Sequence, residues 1–342
     1  MSEVLYRKYR PSNFSEVMGQ EHIVSVIEKS IKNKKIAHAY LFSGSRGIGK
    51  TSIARILAKD LGTHQDDIYE IDAASNRGID DVRAIRDSVN TLPFHSAYKV
   101  YIVDEVHMLT KEAFNALLKT LEEPPSYVIF MLATTELEKI PETIISRCEV
   151  YRFKKPTIEI LSKQVINVAK KEGFEISKAS AELVALLGDG SFRDTLGALQ
   201  KVIGMSKDKK LDDEEVRMAL GAPSKILIHE FVDSLASKNI DTALKAIEKV
   251  KELNLSITTY FDLVLRTLRL ALLVRYAKTM HESIKADVGE DEFFYLLEKS
   301  KDAKSGISST IISEFLKARE EMSISALPEL PLELAIIRVL GE

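Results

Sequence analysis

The chain has 342 residues, of which 45% are hydrophobic and 29% are charged, and its formal net charge is -3. This balance is typical of a folded globular protein and excludes a disordered chain, while the length indicates more than one domain. A near-neutral chain does not attract nucleic acid through its overall charge, so any DNA contact requires a local basic surface. Cys148 is the single cysteine, which excludes an intramolecular disulfide and a cysteine-based zinc cluster and favours a reducing, cytoplasmic compartment.

Neither a signal peptide nor a membrane span is expected. The first ten residues carry charges where a signal peptide needs an apolar core. The most apolar stretch, residues 263–277, is interrupted by Arg266, Arg269 and Arg275. This spacing predicts an amphipathic helix in a bundle.

Short apolar runs alternate with helical segments between residues 39 and about 153. The runs typical of strands are residues 39–42, 68–71, 100–103 and 128–133. Continuous apolar strands separated by helices indicate a parallel sheet that is covered on both faces. We therefore predict an α/β nucleotide-binding domain over residues 1–155.

The β signal ends near Pro156, and helical patterns follow to the end of the chain. The first group of predicted helices comprises residues 158–172, 179–187, 193–203 and 213–220. These helices predict a small domain over residues 156–222, closed by Gly221-Ala222-Pro223. Further amphipathic patterns lie at residues 229–237, 240–252, 259–279 and 308–322. They predict a third, all-helical domain over residues 223–342.

A glycine-rich segment between a predicted strand and a predicted helix matches the template G-x-x-x-x-G-K-[ST]. Its residues are Gly44, Ser45, Arg46, Gly47, Ile48, Gly49, Lys50 and Thr51. Glycines let backbone N–H groups turn towards phosphate, and the helix N-terminus supplies positive potential. Lys50 can reach the β- and γ-phosphates, and Thr51 can ligate Mg²⁺. We predict an ATP-binding P-loop, and an incidental glycine-rich turn is the alternative.

An acidic pair follows the apolar run at residues 100–103. Asp104 is expected to hold Mg²⁺ through water, and Glu105 to orient or deprotonate the attacking water. Acidic pairs at strand ends also occur as solvated loop starts, so the interpretation depends on the P-loop. Together the two motifs predict ATP hydrolysis.

Four further side chains are candidates for contact with the nucleotide. Thr134 and Thr135 end a predicted strand, where hydroxyls can contact the γ-phosphate or position water, although threonine is also a common strand residue. Arg147 follows a helical turn and is a candidate arginine finger. Arg193 starts a helix, where a cation is disfavoured, which predicts an anionic partner. For either arginine, a surface salt bridge is the alternative.

Six blocks of sequence resemble the gamma/tau-type AAA+ clamp-loader ATPases of bacterial DNA polymerase III. They are YRKYRP (6–11), VMGQEH (17–22), DAASNRG (72–78), DEVHML (104–109), NALLKTLEEPP (115–125) and IISRC (144–148). The matching blocks are long and cover the first two predicted domains well. The third predicted domain resembles the family mainly in its length and helical character. It implies an α/β P-loop AAA+ domain with a parallel sheet, then a helical lid, then an all-α collar that holds subunits in a ring.

The resemblance also implies roles for individual residues. The adenine pocket would be lined by Arg7, Tyr9, Arg10, Pro11 and Val17. Thr135, with Thr134 as the near alternative, would be sensor 1. Arg193 would reach the γ-phosphate of its own subunit as sensor 2, and Arg147 would insert into the neighbouring subunit's site.

The implied activity is an ATP-driven motor that opens a sliding clamp and loads it onto primed DNA. Its partners would be copies of itself, delta- and delta-prime-like subunits, the clamp, and primer-template DNA held through phosphates without sequence reading. Asn76, Arg77 and Lys111 lie at predicted helix starts and are the candidate DNA contacts. Arg77 has an alternative role, since it can pair with Asp80 or Asp81 one turn further on.

The sequence departs from the family pattern at two places. The family's four-cysteine zinc module is replaced by the short interval 62–67, and His64 alone cannot build a zinc site, so we expect ATP and Mg²⁺ but no zinc. The second departure is the end at Glu342, which leads us to expect a short, gamma-like form.

Two other functions fit parts of the pattern. One is a non-hydrolysing structural subunit, which intact Lys50, Thr51, Asp104 and Glu105 argue against. The other is a different AAA+ motor such as a branch-migration helicase, whose C-terminal winged-helix domain the predicted helices do not resemble.

Overall fold

The computed structural model describes residues 3–76, 78–206, 208–301 and 307–341, without the side chains of residues 79–81 and 287. The chain folds into two compact units. The first unit comprises Met1–Gln164 and Gly188–Gly197, and the second comprises Val165–Leu187 and Ala198–Glu342. The finer division into three domains at residues 155 and 222 stays a prediction.

Five parallel strands form the sheet of the first unit. They are β1 Ala39–Ser43, β2 Ile68–Asp72, β3 Lys99–Asp104, β4 Val128–Thr134 and β5 Glu149–Arg152. Their spatial order is β2-β3-β4-β1-β5, and in the register Leu41 lies beside Leu132. The four predicted strands are confirmed. The sequence analysis missed β5, an edge strand in which one of four residues is buried.

Side chains of the sheet alternate between two hydrophobic cores, because successive strand residues point to opposite faces. Leu41, Tyr101 and Phe130 belong to one core. Phe42 and Ile102 belong to the other. Since both faces are covered, the central strands read as continuous apolar runs, as the sequence predicts.

Helices of the first unit cover these two faces. They are α1 Leu5–Lys8, α2 Glu21–Lys32, α3 Lys50–Asp60, α4 Ile79–Val89, α5 Lys111–Glu122 and α6 Glu142–Ile145, followed by α7 Ile158–Lys171, which begins in this unit. Apolar spacing of three and four residues along α5 buries Phe114, Leu117 and Leu121 on one side. The Thr110 side chain caps this helix by accepting a hydrogen bond from the Ala113 N–H at 3.2 Å.

The strand order brings three chain segments to one edge of the sheet. β4 lies between β1 and β3, and the three strands are parallel, so Ser43, Asp104 and Thr134 end side by side. The Gly44 N–H donates to the Thr134 carbonyl at 3.2 Å. The predicted P-loop and the predicted acidic motif therefore meet at the carboxyl ends of the strands, where α/β proteins bind ligands.

The second unit is built mainly from helices. They are α8 Lys178–Leu187, α9 Phe192–Met205 (which begins in the first unit), α10 Asp213–Leu220, α11 Lys225–Ala236, α12 Ile240–Glu252, α13 Ile257–Tyr276, α14 His281–Val288, α15 Glu290–Lys301, α16 Ser309–Glu321 and α17 Leu330–Leu340. Serine or asparagine side chains cap α11, α12, α13 and α16. Two short parallel strands, β6 Glu175–Ile176 and β7 Lys210–Leu211, were not predicted. The predicted fold class, a parallel α/β sheet followed by helices, is confirmed.

None of the helices in the described ranges combines the length and the apolar character that crossing a membrane would require.

Candidate nucleotide-binding site

A cleft of about 640 Å³ lies at the carboxyl edge of the sheet in the first unit. This volume is within the range of sites that bind small molecules. The lining of the cleft includes Tyr6, Tyr9, Arg10, Pro11, Val17, Arg46, Gly47, Ile48, Gly49, Lys50, Thr51, Asp104, Glu105 and Arg193. The cleft thus contains most of the P-loop, the acidic motif and one predicted arginine.

Glycines shape the P-loop where other residues would not fit. Gly47 has a φ of +72°, and a Cβ there would come within 2.1 Å of Ser191 Oγ. Gly49 has a φ of +109° and is the N-cap of α3. The left-handed region is accessible to glycine without strain, so these residues let the loop turn directly into the helix N-terminus. Backbone N–H groups at such a terminus attract anions.

Lys50 is the first residue of α3 and is buried, with 5% of its surface exposed. Its ammonium donates to the carbonyl oxygens of Gly44 at 2.7 Å and Ser45 at 2.9 Å. Burial lowers the pKa of Lys50, and the nearby carboxylates of Glu105 and Asp104 partly offset that effect. The lysine is therefore a desolvated cation folded back over the P-loop.

Thr51 and Asp104 meet across the cleft. Thr51 Oγ1 donates a hydrogen bond of 2.7 Å to Asp104 Oδ2. The other carboxylate oxygen, Oδ1, accepts from the Glu105 N–H at 3.0 Å. A hydroxyl and a carboxylate side by side form an all-oxygen donor set, which suits Mg²⁺. The pair predicted to hold the metal is thus brought together by the fold.

Glu105 is the residue directly after β3 and has a positive φ of 50°. Its Oε2 accepts a hydrogen bond of 3.2 Å from Thr135 Oγ1. Non-glycine residues adopt this conformation at a cost of about 1–3 kcal/mol, and such strain is concentrated at functional sites. The turn directs Glu105 into the cleft, where it contacts the threonine predicted as sensor 1.

Thr134 has a different environment from Thr135. It is fully buried, and its Oγ1 lies 3.0 Å from His107 Nδ1 and accepts from the Glu136 N–H at 3.0 Å. Neither threonine is among the residues that line the cleft. The contact with Glu105 favours Thr135 over Thr134 as the threonine that acts on the acidic motif.

His107 is a site residue that sequence reasoning did not single out. Its side chain is 6% exposed and lies between three partners: Thr134, Glu136 with Oε1 at 3.1 Å from Nε2, and Glu105 with Oε2 at 3.6 Å from Nδ1. The imidazole thereby links the acidic motif to the end of β4. The sequence signal that could have identified His107 is its position two residues after Glu105 of the acidic motif.

Arg193 is the second residue of α9 and lines the same cleft. Its guanidinium carbon lies 5.8 Å from the centre of the Tyr6 ring, and the neighbouring Phe192 N–H donates to the Gly47 carbonyl at 3.0 Å. Within the described residues no carboxylate forms an ion pair with Arg193, although an anionic partner was predicted. The arginine thus lies beside the P-loop without an ion-pair partner from the described part of its own chain.

Four of the five residues predicted for an adenine pocket line the cleft. Tyr9, Arg10, Pro11 and Val17 line the cleft. Arg7 does not line it; its guanidinium carbon lies 5.9 Å from the Tyr6 ring, and Tyr6 lines the cleft instead.

Arg147 lies outside the cleft of its own chain. It follows α6, donates from Nη1 to the Thr143 carbonyl at 2.7 Å, and pairs through Nη2 with Glu122 Oε1 at 2.6 Å. One third of its side chain is exposed. The fold therefore does not bring this arginine to the P-loop that precedes it.

The structure describes two of the three candidate DNA contacts, Asn76 and Lys111. Asn76 uses its side-chain amide locally, donating to the Asp72 carbonyl at 2.9 Å. Lys111 is exposed at the first position of α5. Arg77 lies outside the described residues. Contact with DNA stays a prediction for all three.

Comparisons with known proteins agree with the geometry. The family model "DNA polymerase III, delta subunit" matches residues 19–78 and 62–157. DNA polymerase III subunit tau of Bacillus subtilis (strain 168) is 37% identical over 98% of this chain and 63% of its own length. The gamma/tau subunit of Mycobacterium tuberculosis (strain ATCC 25618 / H37Rv) is 40% identical over 72% of this chain and 46% of its own. Subunit tau of Escherichia coli (strain K12) is 37% identical over 72% and 42%.

Solved structures show the same fold. The RuvB Holliday junction branch migration motor of Thermotoga maritima superposes with a TM-score of 0.54 at 22% identity, over 66% of this chain and 79% of that one. At this identity the likeness establishes the AAA+ fold alone. The chain spans about half the length of the curated relatives it matches, between 42% and 63% for the three described above. The sequence identity over most of the chain, together with the matching fold and P-loop, confirms the resemblance to the gamma/tau subunits of DNA polymerase III.

Proposed function

We propose that this chain is an ATP-driven motor subunit of a clamp loader, which binds and hydrolyses ATP at subunit interfaces to open a sliding clamp and load it onto primed DNA. The observation that carries the proposal is the division of the catalytic groups. Lys50, Thr51, Asp104 and Glu105 converge on one cleft, whereas Arg147 lies outside it. A site that lacks one cation from its own chain is suited to completion by a neighbouring subunit.

ATP and Mg²⁺ are the proposed ligands of the cleft. Tyr9, Arg10, Pro11 and Val17 would hold the base, and the backbone N–H groups of the P-loop would hold the phosphates. Thr51 and Asp104 supply the oxygen atoms that would hold the metal ion, Asp104 through water. Bound Mg²⁺ neutralises charge on the phosphate oxygens.

The chain's own residues supply the remaining chemistry. The Lys50 ammonium places a positive charge over the phosphates. Glu105 orients or deprotonates the attacking water, and the hydroxyl of Thr135 fixes the glutamate. Arg193 adds a cation at the γ-phosphate from its own subunit. Arg147 of a neighbouring subunit completes the charge stabilisation, which is worth about 10³ to 10⁵ in rate for arginine fingers.

The proposed partners are copies of this chain, delta- and delta-prime-like subunits, the clamp and primer-template DNA. Support comes from the relatives, which are named as subunits of DNA polymerase III. DNA would be held by its phosphates, with Lys111 as an exposed candidate at the start of α5. Since the net charge is -3, only a local basic surface can make this contact.

The test is an ATPase assay on a reconstituted assembly. The purified chain would be mixed with delta- and delta-prime-like subunits, the sliding clamp and primed DNA. We expect clamp and primed DNA to stimulate hydrolysis in the complete assembly, and Lys50→Ala in this chain to abolish that stimulation. A complete assembly without DNA-stimulated hydrolysis would favour a non-hydrolysing structural subunit instead.

A further inference from the structure

A second group of side chains with metal-binding atoms lies at the opposite edge of the sheet from the nucleotide cleft. His64 and Asp66 precede β2, and His95 precedes β3. Because β2 and β3 are parallel neighbours, the loops that enter them lie side by side. The sequence analysis considered His64 alone, since His95 belongs to a different loop.

The spacing of the three ligand atoms matches a tetrahedral metal site. Asp66 Oδ2 lies 3.3 Å from His64 Nδ1 and 3.5 Å from His95 Nε2. Ligand atoms at about 2.0–2.2 Å from a zinc ion, at tetrahedral angles, are about 3.3–3.6 Å apart. All three atoms lie within 4.8 Å of one another. The imidazole rings meet edge to face at 67°, with centroids 4.9 Å apart. His64 Nδ1 accepts a hydrogen bond of 3.4 Å from the Asp66 N–H, which a bound ion would displace.

The two loops are fastened to each other beneath the cluster. Asp67 is fully buried, and its carboxylate accepts from the Phe94 N–H at 2.5 Å and the His95 N–H at 2.8 Å. The His64 N–H donates to Ser96 Oγ at 2.6 Å. These bonds hold the backbones of His64 and His95 in place, so an ion would order only three side chains. Preorganisation of this kind reduces the entropic cost of binding.

We propose that His64, Asp66 and His95 bind one zinc ion, which clips the loop before β2 to the loop before β3. Two imidazoles and one carboxylate suit zinc, whereas Mg²⁺ and Ca²⁺ take oxygen ligands. The side chains are 58%, 63% and 58% exposed, so the ion reaches them from solvent and water fills the fourth position. This site is separate from the P-loop and does not depend on the proposed ATPase function.

Zinc binding by the purified chain tests the proposal. The chain, free of any histidine tag, would be dialysed against zinc chloride with excess Mg²⁺, which occupies oxygen-only sites, and bound zinc would be counted by mass spectrometry. We expect one equivalent per chain. The double variant His64→Gln/His95→Gln should bind no zinc. Asp66→Asn should weaken zinc binding by about 10- to 100-fold or more, since loss of even a residue that only supports a ligand costs that much.

His22→Gln is the matched control. His22 is another exposed histidine of the first unit, with Nε2 3.3 Å from the Arg152 carbonyl, and it has no place in the cluster. This variant should retain the full equivalent of zinc. The proposal is overturned if the wild-type chain binds none, if the double variant binds as much as wild type, or if His22→Gln loses zinc equally.

A cobalt spectrum and an ATP titration complete the test. Co²⁺ in place of zinc should give the intense visible absorption of a tetrahedral site in wild type and lose it in the double variant. Because the three side chains are exposed and remote from the cleft, the variants should fold and bind ATP as wild type does. A spectrum of fully hydrated Co²⁺ in the wild-type chain would also overturn the proposal.

Discussion

Thr51 and Asp104 are joined by a hydrogen bond of 2.7 Å between Oγ1 and Oδ2, although they stand 53 positions apart in the chain. One belongs to the first turn of α3 and the other to the end of β3. The bond holds the two proposed oxygen donors for Mg²⁺ in contact with each other.

Thr51→Val should lower the affinity for ATP in the presence of Mg²⁺ by about tenfold, because it removes a proposed metal ligand and leaves the Asp104 carboxylate without its donor. Titration of a fluorescent ATP analogue with Mg²⁺ and with chelator measures the effect. Thr51→Ser keeps the hydroxyl and should behave as wild type. An unchanged Mg²⁺ dependence in Thr51→Val would contradict the assignment.

Lys50→Ala should weaken ATP binding by about 100-fold or more, equivalent to about 3 kcal/mol, since it removes the buried cation that faces the P-loop. Equilibrium binding to the isolated chain is the measurement. Lys59→Ala, in the last turn of the same helix and exposed, is the control. Equal ATP affinity of Lys50→Ala and wild type would refute the P-loop assignment.

Glu105→Gln should lower the hydrolysis rate of the assembly by about 10² to 10⁴ with nearly unchanged ATP affinity, because it removes a base and not a phosphate ligand. Thr135→Val, which loses the 3.2 Å hydrogen bond to Glu105, should give a smaller fall of the same kind. Glu112→Gln, at an exposed position of α5, is the control. If Glu105→Gln chiefly weakened binding, its role would be structural.

Arg147→Ala should leave ATP binding by the isolated chain within about twofold of wild type and lower hydrolysis in the assembly by about 10³. Its pair with Glu122 is partly exposed and contributes at most about 1 kcal/mol, so a neighbouring site can compete for the guanidinium. Arg86→Ala removes another surface arginine, paired with Asp87, and should change neither quantity. Loss of binding in the isolated Arg147→Ala chain would exclude a role in trans.

Asp213 gives a prediction for pH dependence in the second unit. Burial favours its neutral form, but Arg217, with Nε at 3.0 Å, and Lys225 outweigh burial and lower the pKa of Asp213. A carboxyl with a lowered pKa stabilises the fold above its ordinary value, and this contribution disappears as pH falls through the folded-state pKa.

Asp213→Asn should therefore cost about 1 kcal/mol of unfolding free energy at neutral pH, with partial solvent exposure keeping the value small. The difference from wild type should shrink as the pH falls below the ordinary range of an aspartate and through the lowered folded-state pKa. Thermal unfolding of both proteins across this pH range measures it. A difference that stays constant with pH would show that the charge of Asp213 does not contribute.

Local sequence patterns alone predict many of the residues that line the cleft. The P-loop template requires glycines with positive φ before a helix, and such a requirement is visible in the sequence alone. Apolar runs predicted four of the five strands of this sheet, and three of them, β1, β3 and β4, are buried on both faces. The edge strand β5 lacked that signal, since three of its four residues are exposed.

The sequence by itself determined the order of the motifs, the fold class and the residue types that we propose bind phosphate and magnesium. Only the tertiary structure decided which distant side chains meet: Thr135 with Glu105, His95 with Asp66, and Arg147 away from its own cleft. The physical reason is that such contacts depend on the order of strands in the sheet and on how the connecting loops are fastened. Hydrophobic periodicity specifies which face of each element is buried. It does not specify the order of the strands or the contacts between the loops.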